Sequence, residues 1–98
     1  MTDFQFEWDS AKNASNQRKH DVSFRDAMLV FRDPFHMSEM ERVEGGEYRW
    51  QTIGRVKEAT FLVVVHTYRD SQHHIIIRII SARVAKKADR RRYDYQDG

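Results

Sequence analysis

The sequence predicts an α+β fold: a small single domain over residues 1–98, with an antiparallel sheet and its helices on one face. Three observations carry that prediction. Two β-branched runs, Thr60 to Arg69 and Ile75 to Ala85, are separated only by a short polar reversal around Asp70, Ser71 and Gln72. Phe24, Ala27, Met28 and Phe31 repeat at i, i+3, i+4 and i+7, a core-facing helical stripe. The patterns come in the order β, α, α, several adjacent strands, α, which segregates helices from strands.

Taken in order, Phe4, Phe6 and Trp8 alternate with Asp3, Gln5 and Glu7, the period of a short strand with one buried face. Asp9 is an N-cap for a helix running to about Lys19, on which only Ala11 and Ala14 are apolar enough to face a core, so a surface position is expected for it. His20, Asp21 and Val22 form a turn, and Ser23 with Asp26 opens the striped helix, which Asp33 and Pro34 end. A short strand is expected within Phe35 to Arg42. Gly45 and Gly46 then reverse the chain, and Tyr48, Trp50 and Thr52 point to the core while Glu47, Arg49 and Gln51 point away. Gly54 should close that strand, ahead of a polar turn from Arg55 to Ala59. The five isoleucines among Ile75–Ile80 predict a strand largely covered on both faces, which makes Arg78 conspicuous: a guanidinium there needs an anion beside it, a carboxylate of the chain or a ligand. The tail from Val84 to Tyr95 reads as a helix with a thin apolar side of Ala85, Ala88, Arg92 and Tyr95.

Composition narrows the function classes. The chain has no cysteine, so disulfides, thiolate metal sites and cysteine nucleophiles are absent together. No run approaches the ~18 apolar residues of a membrane span, and the start MTDFQFEWDS lacks a signal-peptide design, so a cytoplasmic protein without membrane contact is expected. Net charge is only +2, but Arg83, Lys86, Lys87, Arg90, Arg91 and Arg92 crowd the tail against Asp89, Asp94 and Asp97, which suits an anionic partner or a solvated basic face. No metal and no cofactor are expected, because the histidines have no ligand spacing and Gly45-Gly46 lack the lysine and helix of a phosphate loop.

The candidates for chemistry are arginines. Arg49, Arg69 and Arg78 fall on three strands expected to be neighbours in the sheet, where bidentate forks could converge on a phosphate, and Ser81 and Arg83 follow on the last of them. Arg78 and Arg83 are an odd number of residues apart, so a regular strand would send them to opposite faces; a bulge or the strand end must re-aim one for both to serve. His66, beside an apolar strand end, reads first as a packed residue and second as a substrate contact or base. The same residues also suit a non-catalytic nucleic-acid-binding module or a protein-interaction domain.

Phe6-Glu7-Trp8-Asp9 with Lys12, Asn16 and Lys19-His20 before Val22-Ser23-Phe24, then Ala27, Phe31 and Asp33-Pro34, resemble the BrnT toxins of bacterial type II toxin-antitoxin systems. The resemblance continues through Glu47, Arg49, Ile53-Gly54, Thr67, Arg69, Arg78-Ile79-Ile80-Ser81-Ala82-Arg83 and Tyr93, covering about residues 4 to 95, with Asp21 standing where the family's glycine follows Lys-His. It implies a RelE-like fold and ribonuclease activity on RNA that inhibits translation; with no metal-ligand cluster and several arginines to stabilise a phosphorane, metal-independent 2′-hydroxyl chemistry is the mechanism expected. It implies neutralisation by a BrnA-type antitoxin with a ribbon-helix-helix DNA-binding domain, and leaves open a homodimer within a heterotetramer. Carried over by position, Arg49, Arg69, Arg78, Ser81 and Arg83 are the catalytic candidates; Lys19, His20 and Tyr93, with His66, are the substrate-binding ones. The general base is unassigned: His66, His20 and Tyr93 are candidates, and an arginine or lysine acting by electrostatics would make a strong base unnecessary.

Overall fold

The structure, a computed structural model, describes residues 4–96; Asp3 of the first alternation and Asp97 of the tail lie outside the described residues. A five-stranded sheet is built from β1 (Phe4–Glu7), β2 (Met37–Glu44), β3 (Glu47–Lys57), β4 (Thr60–Ser71) and β5 (His74–Val84), in the spatial order β1-β5-β4-β3-β2. The four later strands form an antiparallel meander, and β1 joins its edge parallel to β5. Helices α1 (Ser10–His20) and α2 (Phe24–Ala27) gather on one side, while α3 (Lys87–Asp94) departs from that grouping and returns over the opposite face. The ladder shows this directly. Leu62 and Val64 point to the cluster of Val22, Phe24, Ala27 and Val30, whereas Phe61, of opposite parity, meets Tyr93 of α3.

Helix α1 breaks the usual rule for docking. It lies on the surface, as its few apolar residues predict, with Ala11 and Ala14 exposed, and its buried residue is Asn16. The reason lies in the sheet edge. β1 pairs with β5 only as far as Arg78, so the edge beyond it still needs partners. Asn16 supplies them: its Nδ2 donates to the carbonyls of Ala82 and Val22, both at 2.8 Å, and its Oδ1 accepts from Ala82 N–H at 3.1 Å. Asn13 Oδ1 accepts from Phe24 N–H at 2.9 Å, tying the start of α2 to the same helix. Asp9 caps α1 as the sequence predicts, and Asp21 adopts the left-handed cap, φ 58°, that favours glycine.

Ser23 caps α2 through Asp26 N–H, but the striped segment tightens into a 3₁₀ turn over Met28–Arg32. Phe24, Ala27 and Val30 therefore line up at three-residue spacing and are all buried, with Phe31 beside them. This turn lies so close on β3 that a Cβ at Gly54 would stand 2.7 Å from Val30 Cγ1 and 2.8 Å from its carbonyl oxygen. Gly54 thus does not close the strand, as the sequence suggested. It lets β3 pass under the turn and run on to Lys57. Gly45 and Gly46 make the expected β2–β3 reversal, both with positive φ.

Tyr48 is a second correction. It shares the parity of Trp50 and Thr52, but β3 overruns the helical cover and leaves Tyr48 62% exposed. The tail also differs, since Ala88, Arg92 and Tyr95 are exposed and Asp89 is the buried residue of α3. Burial pushes the Asp89 carboxyl up, but the Arg83 guanidinium and the Lys86 N–H, both at 2.8 Å, outweigh that and hold it below the usual range. Asp33 does similar work at the β3 edge. It accepts from Arg55 N–H at 2.8 Å, Phe35 N–H at 2.9 Å and the Tyr93 hydroxyl at 2.7 Å, which joins the α2 side to the α3 side.

Candidate active site

The pairing of β4 with β5 slips by one residue: Val65 lies opposite Ser81, but His66 lies opposite Ile79, so Ile80 is extra. This bulge changes the parity of everything after it. Arg78, opposite Thr67, and Arg83, opposite Val63, now share a face despite their odd separation. Thr67 and Arg69 point the same way, and Arg49 shares the parity of Gln51, which pairs with Val65 on that face. Arg49, Arg69, Arg78 and Arg83 thus occupy one sheet face, the one opposite α1 and α2. The end of that face near Val63 is covered by α3; the end near Arg69 and Arg78 is open.

The four guanidiniums are differently compensated. Arg69 Nη2 and Arg78 Nη1 donate to the two oxygens of Glu7, at 3.2 Å and 3.0 Å. The anion that Arg78 requires is therefore on the chain itself, and the isoleucine strand is less enclosed than expected, with Arg78 43% and Glu7 35% exposed. The hydrogen bonds from Arg69 and then Arg78 hold the Glu7 carboxyl below its ordinary range, against the raising effect of burial. Arg83 is held by Asp89, which also receives Arg92 at 3.1 Å. Arg49 is the least satisfied: its side chain is only 16% exposed, its nearest carboxylates, Glu44 and Glu47, stand at 3.6 Å and 3.8 Å, and its Nε is buried without a partner. A poorly matched cation in such a position costs stability, as binding sites commonly do.

Ser81 sits where the bulge meets the free edge of β5. Opposite Val65, it shares the face of Arg78 and Arg83, and it also lines a groove of about 150 Å³ with Lys12, Ser15, Lys19 and His20 of α1, which brings Lys19 and His20 to Ser81. Two other candidates are placed elsewhere. His66 is fully buried, with Nε2 2.6 Å from Thr52 Oγ1 and its ring against Phe31 and Tyr68; burial pushes its pKa down to about 4. It is a neutral core residue on the face opposite Arg78, and the substrate-contact reading is corrected on that ground. Tyr93 packs on Phe61 at the far end of β4, and burial together with its bond to Asp33 pushes its pKa up to about 12. Its phenol clamps the chain and does not face the arginines.

Glu7 is the site residue that sequence reasoning missed. Its alternation with Phe6 and Trp8 placed it on a polar face, but only the parallel pairing of β1, with Glu7 opposite Arg78, brings it to the arginines. Among the described residues, no three His, Asp or Glu side chains gather as a metal site, and no helix is long and apolar enough to cross a membrane.

An α+β sheet with four arginines and a bridging carboxylate on one face defines a small domain suited to a phosphate-bearing ligand. The comparisons make this specific: residues 8–89 match the family described as ribonuclease toxin, BrnT, of type II toxin-antitoxin system, and the chain belongs to that family. It is therefore a BrnT-family ribonuclease toxin, a kind of protein that has an antitoxin partner. The fold is similar to the crystal structure of the Brucella abortus ribonuclease toxin BrnT, with a TM-score of 0.57 and 18% identity over 87% of this chain and 100% of that one. No curated protein matches the chain.

Proposed function

We propose that this toxin cuts RNA on its open sheet face, without a metal ion, by directing a 2′-hydroxyl at the adjacent phosphodiester, and that it thereby inhibits translation. The observation that carries this reading is the bulge at Ile80, which turns Arg78 and Arg83 toward the same side as Arg49 and Arg69. Charge builds on the phosphorane as the 2′-oxygen attacks, and guanidiniums already in place stabilise it without reorganising. Arg69 and Arg78 grip the scissile phosphate, Arg49, only loosely paired with Glu44 and Glu47, offers its charge to the same or the next phosphate, and Arg83 adds to the field. Ser81 supplies a hydrogen bond at the groove, where Lys19 and His20 hold the continuing strand. Purified protein is expected to cleave RNA equally well with and without EDTA and to leave DNA of the same sequence intact. Activity lost in EDTA and restored by Mg²⁺ or Mn²⁺ would overturn the mechanism.

The antitoxin in this proposal is of the BrnA type, with a ribbon-helix-helix DNA-binding domain, and two toxins join in a heterotetramer with it. Its ordered arm covers α3, where Lys87, Arg91, Arg92 and Tyr95 are exposed. Expression of this chain alone should slow bacterial growth, and co-expression of the adjacent reading frame should restore it. Normal growth at high soluble expression would count against the toxin's action in cells.

A further inference from the structure

Cleavage by a 2′-hydroxyl needs an acceptor for its proton, and the aromatic candidates are out of place. His66 is sealed in the core, the Tyr93 phenol stays protonated against Asp33, and His20 lies in the α1 groove. Glu7 is on the open face, partly exposed, with each carboxylate oxygen on one of the two arginines that grip the phosphate in the reading above. We propose that Glu7 is the general base of RNA cleavage, taking the 2′-hydroxyl proton after the substrate phosphate has displaced it from Arg69 and Arg78. The inference rests on the ribonuclease reading of this same face.

The geometry supports an exchange. A carboxylate bridging two guanidiniums presents two oxygens to two forks, as the non-bridging oxygens of a phosphodiester do. RNA entering the site takes both arginines and leaves the Glu7 carboxylate next to the phosphate, within reach of the 2′-hydroxyl of the preceding nucleotide. Among the described residues, the charged groups facing Glu7 are Arg69 from β4 and Arg78 from β5, and their hydrogen bonds keep its proton affinity low in the free protein. Handing those bonds to the phosphate raises that affinity, so the base strengthens as the substrate seats. In the step itself the 2′-O–H bond breaks and its proton goes to Glu7, the 2′-oxygen bonds to phosphorus, and the bond from phosphorus to the 5′-oxygen breaks. The departing oxygen takes a proton from water, and the resulting hydroxide accepts the proton from Glu7. The products are a 2′,3′-cyclic phosphate and a 5′-hydroxyl.

The test compares wild type, Glu7→Gln and Glu7→Asp in melting temperature, affinity for an RNA with a 2′-deoxy residue at the cleavage position, and single-turnover rate against pH. Glu7→Gln should fold normally, bind the deoxy analogue as tightly as wild type or several-fold tighter, and cleave about 10²-fold or more slowly. Its remaining rate should climb about tenfold per pH unit between about pH 6 and 8 as hydroxide substitutes for the base, while wild type stays nearly flat. Glu7→Asp, which keeps the carboxylate, should recover part of the rate. Glu7→Gln cleaving at the wild-type rate or faster would reduce Glu7 to a counter-ion, and a loss of binding in step with cleavage would reduce it to a positioning residue; either overturns the proposal. Wild type that binds but never cleaves would instead sink the ribonuclease reading, and the base with it.

Discussion

Arg78→Met is expected to cut RNA cleavage by about 10²-fold or more, the scale of deleting one transition-state charge contact, while the melting temperature stays within a few degrees of wild type. The two halves of that result have separate causes. Both Arg78 and Glu7 are partly solvent-exposed, so their ion pair resembles a surface pair, which contributes only about 0–1 kcal/mol. Removing Arg78 leaves Glu7 with Arg69 and with water, so no charge is stranded in the core. The phosphate, by contrast, loses a fork that nothing else at that position of β5 replaces. Arg78→Lys should recover little, because an ammonium is a point charge and cannot make the two parallel bonds of a guanidinium. Full cleavage by a folded Arg78→Met protein would remove Arg78 from the site and move the chemistry to Arg49 and Arg83.

The largest expected effect on stability is at Asn16. Asn16→Ala deletes one acceptor and two donor contacts at a buried position, leaving the N–H and C=O of Ala82 and the C=O of Val22 without their side-chain partner. Each stranded buried group costs roughly 1–3 kcal/mol, so a loss of about 3–5 kcal/mol is expected, a large part of the ~5–15 kcal/mol of a typical domain. For a chain of this length that corresponds to a fall in melting temperature of roughly 15–30 °C. Asn16→Asp should do no better, since it keeps the acceptor for Ala82 N–H but turns an oxygen toward two carbonyl oxygens. A thermal melt of Asn16→Ala within a few degrees of wild type would show that the edge of β5 is satisfied in another way.

Much of the architecture was legible because its signals are local. Asp9 and Ser23 cap the helices they precede, Gly45-Gly46 turn the hairpin, and the two β-branched runs pair as neighbours. α1 was harder to read. Its docking depends on an amide reaching an edge that is exposed only because β1 is short, and a search for apolar periodicity passes over such a residue. Tyr48 misled for the reverse reason: alternation reports which way a side chain points, and not whether anything covers it there.

By itself the sequence determined the family, the strand and helix types, and the set of arginines on which the proposed chemistry rests, all properties of residue identity and short-range spacing. Only the tertiary structure decided how those arginines are placed. One extra residue, Ile80, reverses the parity that separates Arg78 from Arg83, and strand periodicity carries no mark of where a ladder slips. Glu7 meets Arg78 across 71 positions of chain, through a parallel pairing that neither segment encodes alone. His66 and Tyr93 were removed from the open face by burial and by a bond to Asp33, both of which depend on what the fold packs against a residue and not on the residue itself.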